Sequence, residues 1–191
     1  MKPETKQILI GVGVGVVVVG TVILLVSKLG KKGSVDKTKN YIIGDSQTPL
    51  IDKNSQKISR IGEEGNKANL WQGSKSLSWL KEAVDAYKES KDVNSIVINI
   101  GTNGGFNANE DISGLVNSIK TKFPNAKLYA VKGSWGWGGN KNVTEEKVNA
   151  YYNKFAALGV QVIPTAIGSV NDPHSNLPVY AQIGKEIDSR I

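Results

Sequence analysis

The sequence predicts an α/β fold, a parallel sheet covered by helices on both faces and preceded by one transmembrane helix. Three observations carry that expectation. From Tyr41 to the C-terminus, short apolar runs alternate with longer amphipathic ones, the pattern of strand–helix repeats around a parallel sheet. Small polar residues and glycines follow directly on those runs, as Gly44-Asp45-Ser46-Gln47, Gln72-Gly73-Ser74, Gly101-Thr102-Asn103 and Gly133-Ser134-Trp135, at the edge where parallel sheets bind ligands. Ahead of them stands a separate apolar run, Ile8 to Val26, that holds no charge.

That run divides the chain into a tail (1–7), a transmembrane helix (8–27), a Gly/Lys-rich juxtamembrane linker (28–40) and a globular domain (41–191). At about 1.5 Å per residue the apolar run spans roughly 28 Å, the hydrocarbon thickness of a bilayer. It is longer than the apolar core of a signal peptide, and Ser27-Lys28-Leu29-Gly30 after it offers no small-x-small cleavage site, so an uncleaved single-pass anchor is expected. Lysines flank both ends and leave the orientation unset. Gly11 and Gly15 stand at the G-x-x-x-G spacing, which lets two membrane helices pack closely, although glycine is also simply common in such helices.

The net charge is +7, of which +4 comes from residues 1–33, through Lys2, Lys6, Lys28, Lys31 and Lys32 against Glu4. The basic excess therefore sits where membrane lipid headgroups would meet it. The globular part has no basic stripe, and nucleic acid is not an expected partner. The chain has no cysteine and one histidine, His174. Disulfides, thiolate or multi-histidine metal sites and a cysteine nucleophile are excluded, and neither metal nor cofactor is expected.

The elements follow in order. Tyr41–Ile43 is a short apolar strand and Lys67–Trp71 a possible second one. Ser76–Ser90 puts Leu77, Leu80, Val84 and Tyr87 on one helical face. Ser95–Ile100 is a buried strand, and Ile112–Phe123 an amphipathic helix stopped by Pro124. Lys127–Val131 is a strand. Thr144 caps a helix that runs through Leu158 to a C-terminal Gly159. Gln161–Ile163 is the last strand and Val179–Arg190 the last helix. Trp71 and Trp79 are expected in the core.

Four blocks in this order carry a resemblance. Tyr41-Ile42-Ile43-Gly44-Asp45-Ser46-Gln47-Thr48, Gly73 in Trp-Gln-Gly-Ser, Ile100-Gly101-Thr102-Asn103-Gly104 and Asp172-Pro173-His174 together resemble the SGNH (GDSL-like) hydrolase superfamily over residues 41–191. The resemblance implies a flavodoxin-like three-layer α/β/α fold and ester or acyl hydrolysis.

Chemistry points the same way. A serine at a strand-to-helix turn exposes its hydroxyl beside backbone N–H groups, which suits Ser46 as nucleophile. His174 is the sole histidine available to take its proton. The oxyanion would be held by the N–H groups of Ser46 and Gly73 and the side-chain amide of Asn103, each donor typically worth about 3 kcal/mol in the transition state. Each residue also has a plainer reading: a helix cap for Ser46, a turn residue for Asn103, a strand-end glycine for Gly73 and a loop residue for His174.

The family usually has aspartate three residues before the histidine. Asn171 holds that place here and Asp172 is one residue closer, so either would orient the imidazole. In the glycine-rich loop 133–140, Trp135 and Trp137 would stack on a sugar ring, wall an acyl group or anchor a lid. Gln47 beside Ser46 is a further candidate substrate contact. Asn142-Val143-Thr144 matches a glycosylation sequon by pattern alone.

The first expected function is a membrane-anchored serine esterase acting on an O-acylated glycan, a lipid or a small ester. The broken Asp–His spacing supports a second, a structural or interaction protein of a membrane-associated assembly such as a membrane-containing virion. A glycan-binding module built on Trp135 and Trp137 is a third.

Overall fold

The structure is a computed structural model that describes residues 39–100, 102–103, 106–136, 142–164, 174 and 177–191. These belong to the second of two compact units, Asp36–Ile191. The expected anchor over 8–27, with Gly11 and Gly15, lies outside the described residues. Among the described residues no helix is long and apolar enough to cross a membrane.

Five parallel strands form one sheet in the order β2-β1-β3-β4-β5. They are β1 (Asn40–Gly44), β2 (Ser59–Arg60), β3 (Ser95–Asn99), β4 (Lys127–Val131) and β5 (Gln161–Ile163). The helices are α1 (Thr48–Asn54), α2 (Leu77–Ala86), α3 (Ile112–Lys122), α4 (Glu145–Ala157) and α5 (Leu177–Arg190). Side chains alternate across the pleat. Ile43, Ile96, Ile98, Leu128 and Ala130 join the buried faces of α2, α3 and α4 in one core. Ile42, Val97, Tyr129, Val131 and Ile163 pack with α1 and α5 in the other. Helices on both faces of a parallel sheet are what the strand–helix alternation predicted, and the 2-1-3-4-5 order is that of flavodoxin-like folds.

Two expectations are corrected. The second strand is Ser59–Arg60 beside β1, not Lys67–Trp71, which makes only an isolated bridge from Trp71 to Gly44. Leu70 and Trp71 are buried as a strand's would be, but the Asn69 side chain bonds both the Trp71 N–H and its carbonyl, turning the backbone there. The α2 helix stops at Ala86, earlier than Ser90, because Tyr87 turns extended at ψ 150° to lay its ring 5.6 Å from Phe123. Both caps of α4 follow the sequence: Thr144 accepts from the Lys147 N–H, and Gly159 takes a positive φ of 80° after it. Trp71 is buried and Trp79 rests half-buried on the larger core.

The α1 and α5 helices meet at Gly184. A Cβ there would lie 2.1 Å from the Asn54 carbonyl oxygen. Alanine normally gains up to about 1 kcal/mol over glycine inside a helix. Here the contact reverses the sign, and Gly184→Ala is expected to cost roughly 2 kcal/mol, about 4–8 °C in melting temperature. A thermal melt checks this; a raised midpoint would contradict the close approach.

Candidate active site

In a 2-1-3-4-5 sheet the crevice opens where the strand order reverses, at the carboxyl ends of β1 and β3. The Gly44-Asp45-Ser46 turn leaves β1 at that point. Asp45 and Gln47 are buried, and Ser46 between them is half-exposed. Ser46 is no helix cap, since Gln47 occupies that place before α1. Ser46 Oγ and His174 Nε2 lie 2.7 Å apart, across 128 residues of sequence. With the ring proton on Nδ1, Nε2 accepts the serine hydroxyl's hydrogen bond, the arrangement that activates an oxygen nucleophile. Asn171 and Asp172 lie outside the described residues.

The turn is held from below by Asp45. Its N–H donates to the Asn99 carbonyl at 3.0 Å. Its Oδ1 accepts the Gln47 N–H at 3.0 Å and the Asn99 side-chain amide at 3.1 Å. Burial pushes this carboxyl up from its ordinary 3.8 to about 6, against the opposing pull of the Gln47 N–H, the His174 ring and the Asn103 amide. Sequence reasoning singled out Ser46 and passed over Asp45 and Asn99. An asparagine ending the otherwise apolar run Ser95-Ile96-Val97-Ile98-Asn99 was the available signal.

A carboxyl held above its unfolded value favours the fold while it is protonated. Its contribution is full below about 3.8 and fades as pH rises through about 6. Asp45→Asn is therefore expected to remove a decline in stability between pH 4 and 7. Urea midpoints across that range measure it; equal pH slopes in the two proteins would refute it.

Gly73 reaches the same place from β2's side. The Gly44 N–H donates to the Leu70 carbonyl at 2.9 Å, and the Gln72 N–H to the Gly44 carbonyl at 3.0 Å. That puts residue 73 beside Ser46, where a Cβ would lie 3.7 Å from the Ser46 Cβ. Ser74 follows in the left-handed region at φ 59°, an uncommon conformation for a residue with a side chain. The Gly73 N–H donates to Glu64 Oε1 at 3.1 Å. The Asn103 side-chain amide donates to the Lys75 carbonyl at 2.6 Å. Among the described residues, no acceptor takes the Ser46 N–H. Of the expected oxyanion donors, the Gly73 N–H thus lies beside Ser46 and holds Glu64, while the Asn103 amide holds the Lys75 carbonyl. Sequence reasoning missed Glu64, which no periodicity or motif marks.

Gln47 is buried at 6% exposure, with its N–H on Asp45. Trp135 is half-buried against the larger core, and the Lys132 ammonium stands 5.5 Å from its ring centre, so the ring packs down with a cation over it. Trp137 lies outside the described residues.

No protein-family model matches the chain and no curated protein matches it. Solved structures do share its fold. A member of the lipolytic protein G-D-S-L family from Veillonella parvula aligns with a TM-score of 0.54 at 14% identity, over 80% of this chain and 99% of that one. A protein from Desulfitobacterium hafniense described as a lipolytic protein of the G-D-S-L family aligns at 0.55 and 13% identity, over 81% and 99%. One from Streptococcus pneumonia described as a platelet activating factor aligns at 0.56 and 16% identity, over 83% and 86%. At such identities the likeness is one of fold.

Proposed function

We propose that the chain is a serine ester hydrolase of SGNH type, anchored to a membrane by residues 8–27 as a single-pass protein. The observation that carries the reading is the Ser46 Oγ–His174 Nε2 hydrogen bond of 2.7 Å at the sheet's switch point. The Ser46 oxygen attacks the ester carbonyl carbon as its proton passes to His174 Nε2. The carbonyl oxygen becomes an oxyanion facing the N–H groups of Ser46 and Gly73, with the Asn103 amide alongside. As the tetrahedral species collapses, the C–O bond to the alcohol breaks and His174 returns the proton to the leaving oxygen. Water, deprotonated by the same imidazole, then releases the acid and restores Ser46. Asp172 or Asn171 would orient the ring. The substrate would be an ester near the bilayer, an O-acylated glycan, a lipid or a small acyl ester.

One observation favours a second reading, a structural or interaction role in a membrane-associated assembly. The Gly73 and Asn103 donors are occupied by Glu64 and the Lys75 carbonyl. Fluorophosphonate labelling of the full chain separates the two. Label that disappears in Ser46→Ala and falls strongly in His174→Ala supports the hydrolase. No label above the Ser46→Ala background supports the structural role.

A further inference from the structure

The segment between β2 and α2 presents one carboxylate to the reaction centre. Glu64 Oε1 accepts the Gly73 N–H at 3.1 Å and lies 3.3 Å from where a Gly73 Cβ would point, on the side that also faces the Ser46 Cβ. A substrate carbonyl oxygen held by Gly73 must replace that carboxylate oxygen. The scaffold around Glu64 is fixed. The Leu70 N–H donates to the Ile61 carbonyl at 3.1 Å, and the Trp71 indole N–H to the Gly62 carbonyl at 2.8 Å. Nearby Arg60 is already engaged by Asp52 at 2.8 Å and Glu63 at 2.9 Å. Among the described residues no cation pairs with Glu64, whose side chain is exposed. Nearby, Asp45 adds a second carboxylate, buried under Ser46.

We propose that Glu64 is a specificity-determining residue of the site, which admits esters carrying a cationic group close to the scissile bond and disfavours anionic ones. The inference rests on the hydrolase reading above. A cationic substituent draws the Glu64 carboxylate off the Gly73 N–H by pairing with it, and so opens the donor to the substrate's carbonyl oxygen. A neutral ester must displace the carboxylate without that help. An anionic one meets like charge at the donor it needs. An exposed charge pair at about 4 Å in water supports roughly a fivefold difference per step.

The test uses the full chain and three acetate esters of matched size: one bearing a trimethylammonium group, its neutral tert-butyl isostere and a carboxylate-bearing counterpart. In the native protein kcat/KM is expected to fall from cation to neutral to anion by about fivefold at each step at low salt. Glu64→Gln should bring the three values together, and Glu64→Lys should reverse their order. A native order that persists unchanged in Glu64→Gln overturns the proposal, as does a rise of equal size for all three esters. Hydrolysis that survives in Ser46→Ala overturns the hydrolase reading itself, so the two failures are distinct.

Discussion

Alanine at Ser46 is expected to lower kcat/KM for a chromogenic acetate ester by about 10⁴-fold or more, and alanine at His174 by a comparable factor. Without the hydroxyl there is no nucleophile. Without the imidazole the hydroxyl loses the base it bonds, because its partner among the described residues is Nε2 at 2.7 Å. The two residues act as one unit, so the double variant should fall no further than the more damaged single one. Residual rate would come from the donors around the oxyanion position and from binding. Both side chains are half-exposed, so melting temperatures should move little. A loss of tenfold or less at Ser46, or losses that multiply in the double variant, would show that the pair does not work together. These kinetics bear on more than labelling does, because a phosphonate reports an activated oxygen and not turnover of the acyl intermediate.

Much of this site was legible in the sequence because its residues follow apolar strands. Ser46 and Asn103 come just after β1 and β3, whose apolar cores Ile42-Ile43 and Ile96-Val97-Ile98 are plain in the chain. A parallel sheet brings such strand ends to one edge whatever their separation, and His174 lies there against a serine 128 positions earlier. What stayed hidden was short or non-periodic. With seven residues and a proline in its first turn, α1 is too brief to show a helical period. With two residues, β2 has no alternation at all. Its neighbour Leu70-Trp71 imitated a strand because burial and strand pairing leave the same apolar signature. Glu64 was invisible for a different reason: a surface glutamate has no pattern, and only the fold brings it to Gly73.

The same edge leaves no room for a side chain at Gly44. Gly44 stands opposite Asn99 in the β1–β3 ladder, at φ 147°. A Cβ on it would lie 1.9 Å from the Asn99 carbonyl oxygen and 2.6 Å from its carbon. Moving β1 away from β3 would relieve the clash only by breaking the Asp45 N–H bond to that same carbonyl. On the other side, Leu70 and Gln72 bond both backbone groups of Gly44, so the turn cannot shift either way without loss. Gly44→Ala is expected to cost about 4 kcal/mol or more, a large part of the roughly 5–15 kcal/mol that holds an ordinary domain together. Gly65→Ala is the matched control. Its φ is 81° and nothing lies within 4 Å of the added Cβ, so it should cost only the backbone strain of about 1–2 kcal/mol. Chemical denaturation of the two variants measures the difference. Where Gly44→Ala still folds, it should also lose fluorophosphonate labelling, because Asp45 and Ser46 ride on the displaced turn. Equal stability of the two variants would mean that the close approach of β1 to β3 does not hold the Ser46 turn in place.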